Sequence, residues 1–169
     1  MRLKDYFLGI PVRLSSPHSP QTIAERINAA AGSPLWIFNT GVVGRIRGRR
    51  VRLRFVDSIA EYNAKPLLAG RVEEGLSGSV LTLRYRAPAW AYVFDALWYS
   101  FLTLFGIAAL ASGLDPDPDL NAGSIALLCL AYLLFFLIPL GMHYFGTRRS
   151  DEELGYLLDF LAEQADARP

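Results

Sequence analysis

Two long apolar stretches dominate the second half of the chain. From 123 to 145 the sequence reads GSIALLCLAYLLFFLIPLGMHYF, without a charged side chain before His143. As a helix these 23 residues span about 34 Å, enough to cross a hydrocarbon core about 30 Å thick. From 90 to 112 it reads WAYVFDALWYSFLTLFGIAALAS, which is apolar except for Asp95. The pattern predicts transmembrane helices over 88–112 and 123–145.

The segment between these stretches, GLDPDPDLNA at 113–122, is too short to let them run in the same direction. Its two Asp-Pro steps favour turns, so the two helices are predicted to form an antiparallel hairpin. Arg84 and Arg86 precede the hairpin and Arg148 and Arg149 follow it, whereas the connecting segment has no basic residue. Basic residues concentrate on the cytoplasmic side of a membrane. We therefore expect both termini in the cytoplasm and the acidic connection outside, in the cell (inner) membrane.

Polar residues are rare inside the predicted spans. Asp95 and His143 would both lie near the cytoplasmic interface, one on each antiparallel helix, so we expect an intramembrane polar pair. Ionisable groups inside a membrane suggest function by default, but two spans make a poor transport pathway and favour a structural role. An alternative lays 88–96 along the interface and starts the first span near Leu97. Pro139 removes one backbone donor within the second span and predicts a kink.

The first half of the chain has the patterns of a small folded domain. The run SPQTIAERINAAAG predicts a helix, with Ser19 as the N-cap and Pro20 at the first helical position. Ile23 and Ile27 then fall on one face of that helix.

Alternating positions further on predict two β-hairpins, and thus four strands. The apolar residues of GRIRGRRVRLRF change from an even to an odd position between Ile46 and Val51, as a turn near Gly48 would cause. The second strand of this hairpin places its arginines and its apolar residues on opposite faces. The second hairpin runs through PLLAGRV, a turn in EEGLSG, and SVLTLRYR.

A final helix is predicted in RRSDEELGYLLDFLAEQ. Ser150 and Glu153 have the spacing of a capping box, and leucines at i, i+3, i+4 and i+7 form an apolar stripe. An isolated helix of this length is marginal in water, so the stripe needs a partner, and the sheet offers one. The stripe consists of Leu154, Leu157, Leu158 and Leu161.

These elements predict an α+β fold: a small antiparallel sheet, a helix in the N-terminal region, a C-terminal amphipathic helix and an inserted transmembrane hairpin. Residues 1–87 and 146–169 would form one cytosolic domain. The runs GRIRGRRVRLR, YNAKPLLAGRVEEGLSGSVLTLRYR and RRSDEELGYLLDFL together resemble small bacterial two-pass membrane proteins of uncharacterised function. The strand array closed by a C-terminal helix is also similar to bacterial pleckstrin-homology-like domains.

Charge is distributed unevenly along the 169 residues, although the net charge is only +1. Residues 1–86 contain fourteen Lys or Arg and six Asp or Glu, whereas 113–122 and 146–169 are each net −3. Beside a negative leaflet each basic residue contributes about 1 kcal/mol to the free energy of membrane binding. We expect contact with anionic lipid or a protein partner through Arg45, Arg47, Arg49, Arg50, Arg52, Arg54, Arg84 and Arg86. A homo-oligomer is left open as well.

Two other interpretations of the arginines stay open. A solvated face with no specific ligand is as well supported as a binding face. Nucleic acid is disfavoured, because aromatic residues that could stack on bases are not interleaved with the arginines.

No known catalytic or metal-binding pattern is found in the sequence. The single Cys129 excludes an internal disulfide framework and a Cys/His zinc site. GVVGRIRG matches neither phosphate-loop pattern, and GLSGS lacks the spacing of a nucleophile elbow. The acidic residues are interpreted as solvated turns rather than as cation ligands: Glu73, Glu74, Asp115, Asp117 and Asp119.

We therefore expect a non-enzymatic, membrane-tethered binding or scaffolding module without metal or cofactor. The alternatives are a membrane enzyme with unrecognised chemistry and a membrane-attached nucleic-acid binder.

Overall fold

The computed structural model describes residues 3–32, 41–56, 65–113 and 122–169. Ten helices and strands lie within these ranges. They are α1 (Leu3–Leu8), β1 (Ile10–Ser16), α2 (Pro20–Ala30), β2 (Gly41–Arg47), β3 (Arg50–Val56), β4 (Leu67–Gly75), β5 (Gly78–Arg86), α3 (Ala89–Gly113), α4 (Ala122–Thr147) and α5 (Ser150–Ala165).

The chain divides into two compact units. One combines Met1–Pro88 with Phe145–Pro169, and the other is Ala89–Tyr144. The first unit contains all five strands, which form one antiparallel sheet in the order β1-β5-β4-β3-β2. The predicted α+β class is confirmed.

Both predicted hairpins are part of this sheet. The β2–β3 turn joins Arg47 to Arg50, which face each other in the register, and Gly48 has a left-handed φ of +55°. The favoured two-residue hairpin turns have a positive φ at their first central residue, and glycine adopts it without steric cost. The sequence pattern predicted four strands, and the structure adds β1 at the edge beside β5. Pro11 in β1 obscures a strand pattern, but an edge strand tolerates proline.

Helices α2 and α5 pack on one face of the sheet. Ser19 caps α2 as predicted, because its hydroxyl accepts a hydrogen bond of 3.2 Å from the Thr22 backbone N–H. The inward residues of the two helices and of the strands form the core. Its fully buried members include Ile23, Ile27, Leu53, Leu68, Leu81, Tyr85, Leu157 and Leu161.

The start of α5 differs from the capping-box prediction, which is wrong. Arg149 occupies the N-cap position and makes no side-chain cap bond, while Ser150 is already helical. Glu153 instead accepts a contact of 2.7 Å from Lys65 Nζ and a hydrogen bond of 3.3 Å from the Tyr85 hydroxyl. The Glu153 carboxylate is only 5% exposed, and a buried charge without a partner is strongly destabilising. Its ion pair with Lys65 therefore contributes more to stability than a helix cap would.

The second unit consists largely of α3 and α4. Residues Ala89–Ala111 and Ile125–Phe145 have mean hydropathies of 1.7 and 2.5, and both helices are long and apolar enough to cross a membrane. Their outward side chains are exposed within the chain itself, for instance Leu104 and Leu110 at 69% and 74%. Such a continuous apolar surface is expected of helices surrounded by lipid.

Candidate functional site

Nine arginines share the sheet face opposite α2 and α5. Strand alternation puts apolar residues such as Leu53 and Leu83 toward the helices and the arginines on the other side. We call this surface the arginine face. Its members are Arg13, Arg45, Arg47, Arg50, Arg52, Arg54, Arg71, Arg84 and Arg86.

The register of the strands sets arginines directly beside one another. Arg47 faces Arg50 across β2 and β3, and Arg50 faces Arg71 across β3 and β4. Two residues along, Arg45 faces Arg52. Directly opposed side chains have Cβ atoms about 5 Å apart, and like charges at that distance destabilise a sheet. The fold thus maintains a concentrated positive charge that a bound anion would relieve.

The strand residues that the structure describes place little acidic charge on this face. Among the described strand residues, Glu73 is the one acidic side chain that alternation places on it. Arg49, predicted as a contact residue, lies in the β2–β3 turn rather than on the face, and its Nη2 is 3.5 Å from Glu74 Oε1. Both side chains of that pair are largely exposed, so the pair stabilises the fold little.

One predicted contact residue has a structural role as well. Arg84 Nη1 donates a hydrogen bond of 3.2 Å to the Leu8 carbonyl oxygen at the end of α1. The last carbonyls of a helix have no partner within the helix, and basic side chains often bind them. Arg84 is therefore less available to a ligand than the arginines of β2 and β3.

Those arginines surround a concave pocket of about 710 Å³. Leu67 adds apolar surface to its lining, and the lining residue Val43 is buried. The basic lining residues come from both strands of the β2–β3 hairpin. These are Arg45, Arg47, Arg50, Arg52 and Arg54.

Sequence reasoning missed Arg13 and Arg71. Arg71 belongs to the row Arg47, Arg50, Arg71, and Arg13 lies opposite Thr82 at the other end of that row. Alternation within β4 places Arg71 away from the core residue Val72, a signal already present in the sequence. That it neighbours Arg50 depends on how β3 pairs with β4, which no local pattern reveals.

In the second unit the structure brings Asp95 and His143 together. His143 Nε2 lies 2.9 and 3.0 Å from the two carboxylate oxygens of Asp95, and the side chains are 7% and 14% exposed. An ion pair or hydrogen bond between the two offsets the cost of placing each in an apolar helix.

Other hydrogen bonds also connect α3 and α4. Trp98 Nε1 donates to the Phe135 carbonyl oxygen at 3.1 Å, and the Tyr99 hydroxyl donates to that of Phe136 at 3.4 Å. From the other helix, the Tyr132 hydroxyl donates to the Leu102 carbonyl oxygen at 3.2 Å. From Asp95 to Leu102 along α3, the partners on α4 run back from His143 to Tyr132, so the two helices are antiparallel.

Within the described residues, no group of three or more His, Cys, Asp or Glu side chains could hold a metal ion. The acidic connection with Asp115, Asp117 and Asp119 lies outside the described part of the chain. No family model, curated protein or solved structure matches this chain.

Proposed function

We propose that this protein is a non-enzymatic membrane module whose arginine face binds the anionic headgroups of the bilayer that anchors it. In this proposal α3 and α4 cross the inner membrane as a hairpin, with both termini in the cytoplasm. The side-by-side arginines of β2, β3 and β4 carry the proposal, because a protein gains no stability from opposed like charges unless an anion lies between them.

The chain connections support lipid as the source of that anion. Only Ala87 and Pro88 separate Arg86 from α3, and only Arg148 and Arg149 separate α4 from α5. Arg86, Arg148 and Arg149 are therefore within a few residues of the ends of the two apolar helices in the sequence. Cytoplasmic leaflets are negative, and their potential extends about one Debye length, 8–10 Å, into solution.

The chemistry of arginine fits this role. Its planar guanidinium donates two parallel hydrogen bonds to a phosphate, which a lysine ammonium cannot do. Each basic residue near an anionic surface contributes about 1 kcal/mol, so several acting together bind a lipid surface well. Because the attraction is electrostatic, it weakens as the ionic strength rises.

Arginine-selective labelling of the full chain in nanodiscs tests the proposal. Nanodiscs of phosphatidylcholine alone are compared with nanodiscs that also contain phosphatidylglycerol, and labelled sites are identified by mass spectrometry. We expect Arg47, Arg50 and Arg71 to be protected in anionic nanodiscs and exposed in neutral ones. Arg26, exposed on α2 at the opposite side of the sheet, is the internal control. Equal labelling of the arginine face in both lipids would refute lipid binding.

A further inference from the structure

We infer that the pocket on the arginine face binds a single lipid whose headgroup carries two phosphate groups. This inference rests on the proposed function and gives it a specific ligand chemistry. Four pocket arginines, here called the arginine array, carry it: Arg45, Arg47, Arg50 and Arg52.

The array has the layout of two phosphate clamps. Arg45 faces Arg52 and Arg47 faces Arg50, so each pair comes from two neighbouring strands with Cβ atoms about 5 Å apart. The two pairs lie two residues apart along the strands, which separates them by about 6.7 Å. Each pair could hold one phosphate by charge-assisted hydrogen bonds from two guanidinium groups. Two phosphates bridged within one molecule would occupy both pairs at once.

The backbone at this place supports a fixed array. Gly44 lines the same pocket, and its φ of +143° is one that residues with a side chain rarely adopt. A Cβ there would overlap the Arg52 carbonyl oxygen, so β2 approaches β3 too closely for any larger residue. Such close pairing of the strands keeps Arg45 and Arg52 beside each other.

The apolar part of the lining indicates a lipid rather than a soluble phosphate compound. Leu67 gives the pocket an apolar side and faces Arg86 in the register, whereas Val43, which faces Arg54, is buried. From Arg86 the chain continues through two residues into α3, so this is the end of the sheet from which the chain enters an apolar helix. A lipid would thus place its phosphates on the array and its glycerol and first methylenes against Leu67, which is partly exposed.

This site and a diffuse basic surface should prefer different lipids. A diffuse surface responds to the charge density of the membrane, whatever molecule carries the charge. Two clamps at a fixed separation gain from a second phosphate on the same molecule, because binding of that phosphate is intramolecular. At equal total phosphate, a lipid with two phosphates should therefore bind more tightly than a lipid with one phosphate.

Native mass spectrometry of the detergent-solubilised full chain tests this selectivity. Diphosphatidylglycerol is titrated against phosphatidylglycerol at twice the molar amount, which equalises total charge. The R45Q/R52Q variant removes one clamp, and the matched control R13Q/R71Q removes the same charge from the same face outside the pocket lining. Circular dichroism and thermal unfolding of each variant show whether the fold is retained.

We expect the unaltered chain to retain one diphosphatidylglycerol with at least tenfold higher affinity than phosphatidylglycerol. R45Q/R52Q should lose about tenfold in affinity for diphosphatidylglycerol, or about 1.4 kcal/mol, whereas R13Q/R71Q should lose less than threefold. Equal losses in the two variants, or no preference between the lipids, would overturn the specific site. Protection of the arginine face in anionic nanodiscs would then still support the proposed function, which fails separately if that protection is absent.

Discussion

The indole Nε1 of Trp98 donates its hydrogen bond to the carbonyl oxygen of the residue that Pro139 leaves without a helical partner. In an α-helix the carbonyl of Phe135 accepts from the backbone nitrogen of residue 139, and proline has no hydrogen there. An unsatisfied carbonyl in hydrocarbon costs several kcal/mol. Trp98 on α3 thus completes the hydrogen bonding of α4 at a distance of 3.1 Å. The backbone hydrogen bonding of α4 near Pro139 therefore depends on a side chain of α3.

Trp98→Phe should weaken the hairpin by about 0.5–1.5 kcal/mol, because it keeps the ring and removes the donor. In the background of Pro139→Ala, which restores the backbone N–H, the same change should cost close to nothing. Unfolding of the four proteins in a denaturing-detergent titration gives this double-mutant cycle. Trp90→Phe, near the start of α3, is the control for loss of an indole. An undiminished cost of Trp98→Phe in the Pro139→Ala background would contradict the interpretation.

The contact between Asp95 and His143 should show strong coupling. Asp95→Leu or His143→Leu alone leaves one polar group in an apolar setting, and we expect a loss of about 1–3 kcal/mol for each. The double replacement removes both groups and should recover most of that loss. Additive costs in the same detergent titration would show that the two side chains do not depend on each other.

The buried hydroxyl of Tyr85 should make the free energy of unfolding fall at alkaline pH. Burial, and next the negative charge of Glu153, raise the pKa of Tyr85 above its ordinary value of about 10. Above that ordinary value the unfolded chain releases this proton while the folded chain retains it. Stability from this group is hence complete below pH 10 and is lost as the pH rises above it, by at most about 1.4 kcal/mol per pH unit.

Tyr85→Phe should therefore unfold at lower denaturant concentration at pH 8 but lose less stability between pH 10 and pH 11. Tyr156→Phe, an exposed tyrosine on α5, is the matched control and should follow the unaltered chain. Parallel pH profiles for Tyr85→Phe and the unaltered chain would be inconsistent with a proton held at Tyr85.

Removal of one opposed arginine should have opposite effects in neutral and anionic surroundings. Arg50 lies between Arg47 and Arg71, so Arg50→Thr should raise stability by about 0.2–1 kcal/mol in neutral detergent. With anionic lipid present, the same change should lower it, because a phosphate contact is lost. Arg13→Thr removes the same charge from a position opposite the neutral Thr82 and should stabilise less. Thermal unfolding in the two media measures both effects, and no change of sign would count against phosphate binding at Arg50.

Labelling of single cysteines tests the orientation of the hairpin. In a Cys129→Ala background, Asn121→Cys in the connection should react with an impermeant maleimide added to intact cells. Glu25→Cys on α2 should react only after the membrane is opened. Reversed labelling, or reaction of both in intact cells, would refute the proposed topology.

Features that depend on neighbours in sequence were predictable. The change of phase between Ile46 and Val51 located the β2–β3 turn, and continuous apolar runs located α3 and α4. The role of Glu153 was not predictable, because its partner Lys65 is distant in the sequence and the spacing from Ser150 suggested a cap. The alignment of Arg50 with Arg71 likewise depends on strand register, and the Trp98 contact depends on how two helices are rotated.

The order of elements has a consequence for biosynthesis. The sheet is complete at Arg86, but Leu157 and Leu161, which cover its core, are translated about seventy residues later. At 5–20 residues per second the ribosome needs on the order of 4–14 s to reach them. In the proposed topology the translocon integrates α3 and α4 during that interval, while α5 does not yet cover the core face of the sheet. In that topology the first unit can complete its fold only after both helices have been inserted, because a hairpin that fails to insert would keep α5 from reaching the sheet.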